Sequence, residues 1–138
     1  MIGTLLLPLA LQLSTPALDA AYRTYNCAEP MTQQDMNGCE EVDFQRADLA
    51  LNAAWRGALA DARRFDAELD RSTDTRPTYE AVLRGAQRAW LTFRDQHCTW
   101  EAYGQARGGT MEPMAYSACR AALTRARTIE LGENPSGR

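Results

Sequence analysis

No lysine occurs in this chain of 138 residues; all fifteen basic side chains are arginine. The bias reads first as genome composition and only second as chemistry. Histidine is scarce as well, with His97 alone, and the closest two of the four cysteines are separated by eleven residues. Zinc sites draw on closely spaced Cys and His, so no metal and no cofactor is expected. The first apolar stretch, Leu5 to Leu13, is interrupted by Pro8, and Asp19, Arg23 and Asn26 follow soon after it. Crossing a bilayer takes about 20 consecutive apolar residues, which argues against a membrane span. A basic stripe, the footprint of phosphate-dominated binding, is also missing. The arginines alternate with acids, and nucleic acid is not an expected partner. No spacing joins a nucleophile, a base and oxyanion donors. His97 beside Asp95 or Glu101 is the nearest thing to a general base, but a satisfied or exposed histidine is the plainer reading. The chain is not read as an enzyme.

What is present points to export. The apolar run is followed by small residues at Thr15, Ala17 and Ala20, so residues 1–20 read as a signal peptide, although no Lys or Arg precedes Leu13 to form its charged start. Residues 21–138 are then one small domain with a core over about 27–131. Cys27 does not follow the apolar run directly, which argues against a lipid-modified N-terminal cysteine. An even cysteine number in a short exported chain reads as a disulfide framework, and Cys27, Cys39, Cys98 and Cys119 allow three connectivities. Cys27 with Cys39 and Cys98 with Cys119 are favoured, because each pair is near in sequence and brackets a loop-like stretch. Loop-closure entropy makes each such bridge worth about 3 kcal/mol. Net charge is −3 and unevenly placed: from Cys27 to Asp70 ten acids face four arginines, and from Arg71 to Arg138 ten arginines face seven acids.

The periodicity is helical throughout, with no strand pattern and no internal repeat. Phe44, Ala47, Leu51, Ala54, Ala58, Ala62, Phe65 and Leu69 recur at steps of three and four, with Trp55 and Leu59 widening that face. Thr32 or Asp35 caps this first helix, and the Ser72 to Pro77 stretch ends it. Tyr79, Val82, Ala86, Trp90, Phe93, His97 and Trp100 continue the spacing, predicting a second helix from about Thr78 to Tyr103, antiparallel to the first. Reflection about Asp74 sets Asn52 opposite His97 and Trp55 opposite Arg94. Gly104, Gly108, Gly109 and Pro113 mark a loop, after which Met114, Ala118, Ala122, Ala126 and Ile129 describe a third helix. Asn134 to Gly137 form a frayed tail. The expected fold is all-α: a long antiparallel hairpin plus a third helix, held by two disulfides around a shared core. Trp55, Trp90 and Trp100 are core candidates.

Three runs carry a resemblance: Ala47-Asp48-Leu49-Ala50-Leu51-Asn52, then Ala86 to Cys98 with Gln87, Trp90 and Arg94, then Gly108-Gly109-Thr110 leading to Cys119. In this order they resemble the LprI-like lysozyme inhibitor family, over roughly Cys27 to Leu131. The resemblance implies a small disulfide-bonded helical domain in the bacterial envelope, periplasmic or secreted, and a protein partner, lysozyme. Trp55 departs from the tyrosine more typical there, and the lipoprotein cysteine of the name-giving member is absent.

An inhibitor fills or covers the cleft whose two carboxylates cleave the glycan, and an acidic face can steer it toward a basic enzyme. The partner-binding residues nominated are Arg107, Gly108, Gly109, Thr110 and Glu112, in a loop anchored by a disulfide. Its plainer rival is that the glycines supply a turn between helices. Asp48, Asn52, Gln87, Trp90 and Arg94 are read as structural, an interhelical network with an Asp48 to Arg94 ion pair. An envelope interaction module with another partner is the alternative function.

Overall fold

A computed structural model describes residues 14–133. The apolar run Leu5 to Leu13 and the tail Asn134 to Gly137 lie outside the described residues. Four helices follow in order: α1 (Pro16–Thr24), α2 (Gln33–Ala67), α3 (Tyr79–Ala106) and α4 (Glu112–Gly132). Their starts are chemically marked. The hydroxyls of Thr15, Thr32 and Thr78 accept backbone N–H groups of Leu18, Asp35 and Ala81, satisfying donors that the first helical turn leaves free. Asp66 at the end of α2 adds a second cap, accepting from the N–H groups of Tyr79 at 2.7 Å and Glu80 at 3.0 Å. The 68–78 connector is thereby tied at both ends.

α2 is the spine. It buries Val42, Phe44, Ala47, Leu51 and Ala62, close to the face its periodicity predicts. α4 lies along it in the same direction: Asn37 bonds to the carbonyl of Thr110, Glu41 pairs with Arg120 and Asp43 with Arg125, and Ala62 and Leu131 line a common cavity at the far end. α3 runs back between them in sequence and packs more on α4 than on α2. The expected hairpin register is corrected: Trp55 meets the Arg84 guanidinium, and it is Asp48 that approaches Arg94.

Two faces also differ from expectation. α3 buries Arg94, Cys98 and Ala102, and the Cys98–Cys119 bridge, with Cα atoms 5.4 Å apart, pins that side to α4. The apolar stripe through Val82, Phe93 and Trp100 therefore turns outward, and Trp100, a core candidate by spacing, is 71% exposed. α4 buries Ala115, Ser117, Ala121, Thr124 and Leu131, whereas Ala122, Ala126 and Ile129 face solvent. Its inward side carries hydroxyls that bond across the seam, and apolar periodicity cannot register them.

α1 is an addition to the domain expected from the sequence. Leu18 is buried, Asp19 pairs with Arg46 at 3.3 Å, and the Arg46 guanidinium sits 4.8 Å from the Tyr22 ring. The expected cleavage position near Ala20 falls inside this helix. The second bridge, Cys27–Cys39, fastens the segment after α1 to the first turns of α2. There the Tyr25 ring lies flat against Gly38, where a Cβ would overlap it. Among the described residues no helix is long and apolar enough to cross a membrane.

Candidate functional site

The motif residues gather into a ladder in which rings and guanidinium groups alternate across three helices. Arg120 lies 4.2 Å from the Tyr116 ring and 3.9 Å from that of Phe44. Arg94 lies 5.1 Å from Phe44 and 5.3 Å from Trp90, and Arg127 closes the series 5.9 Å from Trp90. Each such contact is worth about 0.5–2 kcal/mol, more where water is excluded. Carboxylates and amides hold the cations in place. Glu41 accepts from Arg120 at 2.6 Å and from the Ser117 hydroxyl at 2.7 Å. Gln87 accepts from Arg127 at 3.0 Å. Arg94, only 7% exposed, donates to Asp95 at 2.9 Å and to the fully buried Thr124 at 3.3 Å, with Asp48 at 3.9 Å. Asp48, Gln87, Trp90 and Arg94 are thus brought together. Asn52, placed in the same network by its spacing, is exposed and stands outside it, because the helix turns it away from the Phe44 and Leu51 face.

The loop at the other end of α3 is short and exposed. Arg107 terminates the helix, Gly108 takes φ +76, and a left-handed position of this kind favours glycine. The Gly108 N–H donates to the Glu112 carboxylate at 2.6 Å, and the Gly109 N–H to the Ala106 carbonyl at 2.8 Å. Asn37 of α2 donates to the Thr110 carbonyl at 2.9 Å. Residues 107–111 all reach solvent, with Met111 49% exposed, and the Arg107 guanidinium sits 4.6 Å from the Tyr103 ring. The glycines make a turn, and that turn displays Arg107, Thr110 and Met111 at one end of the bundle. A small concavity beside it is lined by Tyr25, Gln33, Asn37, Thr110 and Pro113.

His97 stacks on the Phe93 ring at 5.2 Å, meets the Trp100 ring in a tilted arrangement at 5.7 Å, and approaches Glu101 at 4.0 Å. Cys119 completes the one cluster of potential metal ligands among the described residues, but its sulfur is committed to the bridge with Cys98.

Compared with known proteins, the chain matches the model of the lysozyme inhibitor LprI family over residues 14–131. It belongs to the LprI lysozyme inhibitor family. A protein of Rhizobium meliloti (strain 1021) described as uncharacterized is 40% identical over 108 residues, covering 78% of this chain and 77% of that one. No solved structure matches. The match includes α1, which lies before the segment that carried the resemblance in the sequence. In this LprI-family chain the residues that sequence reasoning missed are Glu41, Phe44 as a cation acceptor, Arg120, Thr124 and Arg127. A signal existed for some of them: Arg120 and Arg127 are seven apart, two turns of one helix face.

Proposed function

We propose that this protein binds and blocks a lysozyme or related glycan-cleaving enzyme in the periplasm or outside the cell, presenting the 107–112 turn to the enzyme's cleft. Family membership carries the reading. The geometry supports it in three ways. The turn is exposed, yet its backbone is held by Glu112, Asn37 and the neighbouring bridge. Arg107 offers a guanidinium to a cleft built on carboxylates. Two disulfides suit an oxidising compartment, in keeping with export by the N-terminal apolar run. Blocking requires no chemistry from the inhibitor, and Asp48, Gln87, Trp90 and Arg94 serve the ladder instead.

The experiment is lysis of a bacterial cell-wall suspension by several lysozyme classes, with and without the purified oxidised protein. Stoichiometric slowing is expected, weakening with added salt where acidic residues on α2 steer the encounter. Arg107→Glu should abolish slowing while leaving the melting curve unchanged. No slowing of any lysozyme class by folded protein would transfer the assignment to an envelope interaction module with another partner.

A further inference from the structure

The outward stripe of α3 has a period. Every seventh residue from Tyr79 to Trp100, and every seventh from Val82 to Tyr103, falls on one line, separated by alternate steps of three and four. This is the a/d pattern of a coiled-coil seam. Eight consecutive seam positions are filled, all eight are exposed, and none carries a charge. Val82 is 60% exposed, Phe93 54% and Trp100 71%. The helix already satisfies its own bundle through the opposite side, where Arg94, Cys98 and Ala102 are buried. A soluble helix ordinarily has one apolar stripe and spends it on the core. α3 has a second, about 36 Å long at the usual rise per residue. The positions beside the seam are uncharged as well: Gly85, Thr92 and Thr99 on one flank, where a Cβ added at Gly85 would meet nothing within 4 Å.

The size pattern indicates the occupant. Pairing α3 with a copy of itself in antiparallel sense sets a positions against d positions. All eight then find partners: Tyr79 against Tyr103, Val82 against Trp100, Ala86 against Gln96 and Ala89 against Phe93 of the second copy. Large residues in the middle of the seam meet small ones. The parallel alternative stacks Trp100 on Trp100 and leaves Ala86 facing Ala86. We propose that the protein forms a two-fold antiparallel dimer through the outer face of α3. The closure is isologous, each surface meeting its own copy. This goes beyond the inhibitor reading and does not rest on it: the 107–111 turns fall at opposite ends of the paired helices.

Sedimentation equilibrium of the oxidised protein from about 1 to 100 μM tests it. The expected mass rises to twice that of the monomer across this range. A mass that stays monomeric at the upper limit overturns the proposal. Phe93→Glu puts a charge in the centre of the seam and should raise the dissociation constant by at least ~100-fold; an undiminished dimer overturns the assigned surface. Phe93 faces solvent within one chain, so the variant's helical circular dichroism serves as the folding control. Combining Ala89→Arg with Phe93→Glu sets Arg against Glu at both crossings of the antiparallel pair and should restore the dimer. In a parallel pair the same residues meet their own charge, so failure to restore overturns the antiparallel register.

Discussion

Replacing Arg94 with alanine removes the middle rung of the ladder, and the structure permits its cost to be apportioned. The guanidinium donates to Asp95 and to Thr124, whose side chain has no access to solvent. A hydrogen bond to a charged group is worth about 1.5–3 kcal/mol, and the exposed half of Asp95 places that bond at the low end. Asp48 contributes less: at 3.9 Å and with 42% of its side chain exposed, its pairing is worth about 0.5 kcal/mol. Contact with the Phe44 and Trp90 rings adds about 1 kcal/mol, and loss of the stem between them leaves a void costing about 1 kcal/mol. The expected destabilisation is about 5–7 kcal/mol, measured by urea unfolding under oxidising conditions. For a domain near this size that corresponds to a fall in Tm of roughly 20–35 °C. Arg94→Met restores the stem without the charge and should recover about 1 kcal/mol, whereas Arg94→Lys cannot reproduce the planar stack and should remain destabilised. An Arg94→Ala midpoint within 1 kcal/mol of the parent would refute the ladder as a source of stability.

Two helix-interior glycines should respond in opposite directions to alanine. Gly57→Ala, where an added Cβ meets nothing within 4 Å, should stabilise by about 1 kcal/mol; Gly38→Ala must displace the Tyr25 ring and should destabilise by about 1–3 kcal/mol, as thermal melts of the two variants will show. Asp74 bears on pH. Hydrogen bonds from Arg76 hold its carboxyl well below the usual carboxylate range, so its contribution is complete above the unfolded value near 4 and is lost as pH falls through the folded value. The gap in melting temperature between the parent and Asp74→Asn should therefore narrow from pH 6 to pH 2, and a gap that stays constant or widens in acid would contradict the assignment.

Much of α2 is legible in the sequence. Its Thr32 cap, its Phe44 to Ala62 face and its break before Pro77 all follow from local rules that act within a few residues. α3 and α4 are legible as helices but not in rotation. An apolar count on α3 finds Val82, Phe93 and Trp100, yet the side turned to α4 is defined by a cation, a disulfide and one alanine. On α4 the inward face is written in Ser117 and Thr124, whose hydroxyls are tolerable only because Glu41 and Arg94 stand across the seam. Polar pairing of this kind is a property of two helices together and leaves no apolar period in either one. Asp48, Gln87, Trp90 and Arg94 can be singled out by motif; their partners on α4 cannot. α1 is hidden for a different reason, since its short amphipathic run adjoins the apolar stretch and reads as its continuation.

The two bridges also decide what a cut in the chain would do. Cys98–Cys119 encloses the 107–111 turn, and Cys27–Cys39 encloses the segment between α1 and α2. A protease that severed the backbone in either place would leave its two ends covalently joined, and α3 would remain moored to α4. The 68–78 connector has no such enclosure. A single scission there crosses neither bridge and divides the molecule into two separate polypeptides. The covalent topology thus tolerates nicking at the exposed turn assigned to the partner and is intolerant of it at the far end.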